Sequence, residues 1–203
     1  MSKQVTAAIL AVSAILLSGS AFAVVKDIIV DVRPASLLVN WNADSFKVVG
    51  KDGQQFEQLE QPNSVSTVPN LKLGVGIDTG SAYIDLTGGA GMLINDRFRT
   101  VMLDVDAAYQ HKFRKNVLFG PHVGLGYFTA PSWYGDAEID FSDSMGLLFG
   151  VQLSVGFDIL FTFAIDYAYI QPFDATTTGN WVASDDSVDF SGLLFQFGMK
   201  GRF

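Results

Sequence analysis

Alternation with a period of two, repeated along almost the whole chain, limits what this sequence can become. From Leu71 the apolar set is Leu71, Leu73, Val75 and Ile77, set against Lys72, Gly74, Gly76 and Asp78. From Ala82 it is Ala82, Ile84 and Leu86, against Tyr83, Asp85 and Thr87. Further segments follow: Val101 to Tyr109 opposed by Asp104, Asp106 and Gln110; Phe119 to Tyr127 opposed by Gly120, His122, Gly124 and Gly126; Leu147 to Phe157 opposed by Gly150, Gln152, Ser154 and Gly156. Phe161 to Tyr169 alternates with Thr162, Ala164, Asp166 and Ala168, and the last segment sets Leu193, Phe195, Phe197, Met199 and Phe203 against Gln196, Lys200 and Arg202. Successive side chains of a strand point to opposite faces, so each segment reads as a strand with one apolar face. An eighth strand starts near the N-terminus, where Ile28, Val30 and Val32 alternate with Asp27, Asp31 and Arg33. Ile29 breaks its polar face, and Pro34 is awkward inside a hydrogen-bonded ladder, so Leu37, Val39 and Trp41 continue it only beyond a bulge.

The apolar face has to meet something. In a soluble sandwich it turns inward and the outer face is richly polar. Here the opposite face is mostly Gly, Ala and Ser, a poor coat for water, while 49% of the chain is hydrophobic and only 17% charged. Leu147 to Ile170 is the nearest approach to an apolar helix, but it carries Gln152, Asp158 and Asp166, and a charge at the centre of a lone membrane helix costs about 2.5 kcal/mol or more. The pattern predicts an all-β fold, an eight-stranded antiparallel up-and-down transmembrane β-barrel with lipid outside.

The chain opens with Lys3, an apolar run from Val5 to Leu17, and Ala21-Phe22-Ala23. Charge, apolar core and a small-x-small site make a secretory signal peptide, so residues 1–23 are expected to be removed and 24–203 to form the barrel. The export route fits an integral bacterial outer-membrane location. The absence of cysteine leaves no disulfide framework, and the net charge of −8 argues against nucleic acid as a partner. Connections alternate between long (42–69, 129–144, 172–188) and short (Thr79 to Ser81, Lys112 to Asn116, around Asp158), with Ile94 to Phe98 the one short member on the long-loop side. Barrels of this kind place short turns in the periplasm and longer loops outside. On that placement Tyr109, Phe119, Phe157, Phe161 and Phe203 form an inner lipid-facing girdle, and Phe98, Tyr127 and Tyr169 an outer one.

The chain resembles the small eight-stranded outer-membrane proteins of the OmpA, OmpX and OmpW types. Phe203, preceded by Met199, Phe197 and Phe195, matches the C-terminal signature read by the barrel-assembly machinery. A nearer resemblance to the OmpW family rests on Val30-Asp31-Val32-Arg33-Pro34, on Gly120 to Gly126, and on Phe197 to Phe203. It implies a narrow barrel with an apolar channel for small hydrophobic molecules.

The expected lumen holds Asp27, Asp31, Arg33, Lys72, Asp78, Asp85, Asp104, Asp106, His122, Asp166, Lys200 and Arg202. Charges far from water must be paired or hydrated. One reading is a salt-bridged plug, with Lys200 or Arg202 meeting Asp27 across the closing seam; the other is a polar track for solute. Inward glycines, among them Gly74, Gly76, Gly89, Gly124 and Gly150, either make room for large neighbours or leave a cavity. Asp106, His122 and Ser154 are the best catalytic constellation, but no His-x-Ser motif of the lipid-deacylase kind occurs, and no enzymatic activity, cofactor or metal is expected. Arg97 and Arg99 are candidates to meet phosphate at the outer rim, with outer-membrane lipid and lipopolysaccharide as expected partners, and Trp133-Tyr134 is a candidate anchor for the third outer loop. The acidic residues Asp136, Glu138, Asp140, Asp143, Asp185, Asp186 and Asp189 read as solvated loops. The leading expectation is a structural barrel or narrow channel; the alternatives are a surface-binding protein acting through its outer loops and a lipid-modifying enzyme.

Overall fold

The computed structural model of the chain describes residues 27–40, 46–53, 55–58 and 65–203; the expected signal peptide and Trp41 lie outside them. Eight long antiparallel strands form a closed ring: β1 (Asp27–Asn40), β2 (Asn70–Asp78), β3 (Ala82–Ile94), β4 (Phe98–Arg114), β5 (Val117–Phe128), β6 (Ser144–Gly156), β7 (Ile159–Ile170) and β8 (Gly192–Arg202). Each strand pairs with its neighbours in sequence, and β1 pairs with both β2 and β8 to close the barrel. Closure leaves no unpaired edge, the condition for strands to stand in lipid.

The seam between β1 and β8 shows how the sequence sets local geometry. The register runs from Ile29↔Arg202 to Asn40↔Gly192 and shifts between Val32 and Ala35. Pro34, which has no N–H to donate, sits in that bulge. Opposite it stands Gly198, where a Cβ would lie 2.4 Å from the Val32 carbonyl oxygen and 2.8 Å from Arg33 Cγ. The missing side chain is what lets Arg33 fold into the lumen.

The outer face of the ring is an apolar belt. Leu73, Leu103, Val123, Leu125, Phe149, Val151, Phe197 and Met199 are all exposed on it. The inner girdle falls as expected, with Tyr109, Phe119, Phe157, Phe161 and Phe203 exposed, and Tyr169 is exposed at the outer end. Phe98 corrects the expectation: it is 0% exposed and points inward. It shares the phase of Thr100, Met102 and Asp104 on β4, all buried, so alternation places it in the lumen.

The long connections are also not plain solvated loops. Lys47–Gly50 pairs with Phe56–Gln58 and with Trp181–Ala183, while Ile139–Phe141 pairs with Phe173–Thr177, which pairs with Ser187–Val188. Val65–Thr67 extends the barrel wall beside β1, and Ser132–Trp133 extends it beside β4. These short strands form a cap at the long-loop end of the barrel.

Candidate functional site

All twelve sequence-predicted lumen residues project into the barrel interior, and they form a connected set. Arg33 of β1 forms a salt bridge with Asp31, its Nη2 2.8 Å from Oδ2. The same guanidinium donates from Nη1 to Gln196 Oε1 at 2.7 Å and from Nη2 to Gln152 Oε1 at 2.9 Å. Gln196 donates to Asp166 Oδ2 at 2.6 Å. Asp166 Oδ1 is 2.9 Å from Nδ1 of His122, whose Nε2 is 3.0 Å from Asp106 Oδ1. Lys72 then bonds Asp106 and lies 2.5 Å from Asp104 Oδ2. The chain of contacts crosses the barrel from β1 through β8, β7 and β5 to β4 and β2.

A second group lies toward the end of the barrel opposite the cap. Lys200 donates to Asp85 Oδ2 at 2.9 Å and lies 4.0 Å from Asp31. Arg202 reaches both oxygens of Asp85 at 2.9 and 2.8 Å, and its Nη1 is 3.7 Å from Asp27. The seam contact expected between Arg202 and Asp27 is therefore present. Arg202 and Lys112 each stack on the Tyr83 ring at 4.0 Å, and Lys112 donates to Asp78 at 2.6 Å.

The inward glycines make room for this network. A Cβ at Gly124 would fall 2.1 Å from Asp106 Oδ1, at Gly76 2.8 Å from Arg202, and at Gly89 2.8 Å from Lys72 Cγ. At Gly150 it would strike the Ile165 carbonyl oxygen at 2.0 Å. Of the two readings of these glycines, the structure takes the one in which they accommodate large polar neighbours.

Asp106 and His122 are brought together, but Ser154 is not joined to them. Both ring nitrogens of His122 face carboxylates, and only a doubly protonated ring can donate to both. Ser154 Oγ instead accepts from Gln110 Nε2 at 2.9 Å and from Gln152 Nε2 at 3.2 Å. Among the described residues no base is in hydrogen-bonding contact with its hydroxyl. Among the described residues no cluster of His, Asp and Glu has the geometry of a metal site.

Above the polar layer the lumen turns apolar. Leu38, Leu93, Met102, Phe128, Leu148 and Leu194 are buried there. Phe98 packs against Phe190, Phe173 and Phe141 with ring centroids 4.3, 5.2 and 5.5 Å apart. Phe46 of the cap adds an edge contact to Trp133 and a tilted contact to Phe141. Glu57 ties the cap together: it accepts from Trp133 Nε1 at 2.7 Å and from the Asp136 backbone N–H at 2.6 Å, and lies 3.6 Å from Arg97. Trp133 thus anchors its loop inward, against the cap. Alternation puts Gln152 and Gln196 on the polar face but does not mark them as partners of Arg33, and nothing in the sequence singles out Glu57, because single polar residues carry no spacing signal.

Among solved structures, the outer membrane protein OprG from Pseudomonas aeruginosa is similar to this chain at a TM-score of 0.52 and 15% identity, covering 87% of this chain and 95% of that one. The fold is that of the small outer-membrane β-barrels. Neisserial surface protein A is also similar, with a TM-score of 0.46 and 14% identity over 87% of this chain and 97% of that one. No protein-family profile matches the chain, and no curated protein does.

Proposed function

We propose that this chain is an integral outer-membrane barrel whose lumen is closed, serving as a rigid mount for its folded outer cap. One observation carries the reading: buried charges paired with one another span the lumen from β1 to β4, and side chains that bridge opposite walls in this way obstruct a continuous column of water. Lumen charges stripped of water are tolerated only when paired, and pairing here holds the opposite walls together. The aromatic cluster at the outer mouth adds a second, apolar seal. The orientation follows from the loops, with the long connections outside and Phe203 at the periplasmic rim, where it offers the assembly signal.

A second reading has its own support. The upper lumen is lined by Leu38, Leu93, Met102 and Leu148, an environment that suits a small apolar molecule and agrees with the channel implied by the resemblance to the OmpW family. Flux into liposomes separates the two. A closed barrel passes neither sugars nor small apolar probes above the protein-free rate; a narrow apolar channel passes the apolar probes alone. A surface-binding role of the cap is compatible with the closed barrel and is tested by trimming the loops. No catalytic role is proposed, since the serine considered for it bonds two glutamines.

A further inference from the structure

The barrel exterior carries a groove that the closed lumen does not explain. It has a volume of about 580 Å³ and crosses β2 to β5 on the lipid side, with walls almost wholly apolar. The register shows its origin. Leu73, Gly88, Val105 and Leu125 lie in one row across the four strands, and in the next row Ala107 stands between Leu86 and Val123. Gly88 and Ala107 are diagonal neighbours where bulky side chains would otherwise continue the belt. The groove is a dent left by two small outward residues.

A basic pair stands above it on the same strand. Arg99 is the outward residue of β4 near its outer end, and Val101 and Leu103 lead from it down to Val105. Its guanidinium stacks on the Tyr134 ring at 4.2 Å. Stacking holds the plane and leaves the N–H edge open to a planar or tetrahedral oxyanion. Arg97, one residue before the strand, donates to the Tyr134 carbonyl oxygen at 3.3 Å and is shared with Glu57, so Arg99 carries the stronger attraction. Both stand out on an outer end otherwise rich in acid, from Asp136 to Asp143 and at Asp185 and Asp186.

The depth fits one lipid. Val105 lies six positions after Arg99, about 20 Å along a strand. At a tilt near 40° this is about 15 Å of depth, half of a hydrocarbon core of roughly 30 Å. A lipid with its phosphate at Arg99 therefore ends its acyl chain in the groove. We propose that Arg99, assisted by Arg97, and the Gly88–Ala107 groove form a site for lipopolysaccharide, phosphate above and acyl chain below. The choice of lipopolysaccharide over phospholipid rests on the orientation argued under Proposed function, which puts the arginines at the outer leaflet.

The test uses the refolded full chain in detergent, with binding read by native mass spectrometry. The probes are lipopolysaccharide, the same material with its lipid phosphates removed, and phosphatidylethanolamine. The intact probe should bind at least tenfold more tightly than either other one, and Arg99→Gln should abolish the preference for phosphate. Gly88→Leu should weaken both lipopolysaccharide forms severalfold; a Cβ there meets nothing nearer than 3.5 Å, so the fold tolerates it, and heat-dependent gel migration checks this. Equal binding of phosphatidylethanolamine, a phosphate preference that survives Arg99→Gln, or no effect of Gly88→Leu would overturn the proposal. Cleavage of the cap by protease added to intact cells tests the orientation separately; its failure would sink the functional reading and with it the choice of lipopolysaccharide, whereas a failure of the lipid-binding arms alone would sink only the groove proposal.

Discussion

Arg33 on the first strand reaches across the lumen to Gln152 on the sixth, with Nη2 2.9 Å from Oε1. The two residues lie far apart around the ring, so this bond is a strut through the barrel's centre. Arg33 also holds Asp31 and Gln196. Arg33→Leu leaves Asp31 with only the more distant Lys200, and removing one partner of a buried ion pair costs about 3–5 kcal/mol. Urea unfolding of the barrel in lipid should register that loss, while Arg33→Lys, which keeps the charge but not the fork, should recover only part of it.

His122 links the two halves of the network through Asp106 and Asp166. His122→Leu leaves two buried carboxylates facing an apolar side chain, and the expected cost is again about 3–5 kcal/mol. The triple variant with Asp106→Asn and Asp166→Asn removes the stranded charges and should be more stable than His122→Leu alone. An equal or lower stability of the triple variant would show that Lys72 and Gln196 suffice to hold the two carboxylates without the imidazole.

Two glycine substitutions should behave in opposite ways. Gly150→Val drives a Cβ against the Ile165 carbonyl at 2.0 Å and the Asp166 carboxylate at 2.5 Å, inside the barrel. The backbone cannot yield without breaking the β6–β7 ladder, so the variant should not refold into the heat-resistant form. Gly88→Val, on the lipid face, meets only ordinary contacts and should refold with wild-type yield.

Phe98 joins the barrel to its cap through three rings. Phe98→Ala should cost about 3–5 kcal/mol of packing. The loss concentrates in the cap, since the ladder of β4 is untouched. Limited proteolysis should therefore cut the 129–143 and 171–191 segments faster in the variant, with the eight-stranded core still intact.

The barrel was legible because its signal is local and repetitive. Period-2 alternation places Lys72, Asp106 and Asp166 inside without any knowledge of their partners, and Pro34 marks the bulge that the seam requires. The girdle expectation for Phe98 fails although its phase with Thr100 and Met102 points inward; an aromatic near a strand end also fits a girdle, and the two signals conflict there. The cap was not legible at all. Lys47–Gly50 pairs with Trp181–Ala183, a contact between segments far apart in the chain and too short to show periodicity. Strand stagger was the other missing quantity, and it decides that Ser154 meets Gln110 rather than His122.

The most direct test of a closed lumen is ion conductance of the refolded protein in planar bilayers, compared with a variant carrying Arg33→Ala and Gln152→Ala. The account predicts no steady conductance from the wild-type barrel, and ion current only when Phe98→Ala loosens the apolar seal in addition to the cut strut. Steady ion conductance through the wild-type protein would contradict it, because the bridging side chains and the apolar seal together obstruct the lumen.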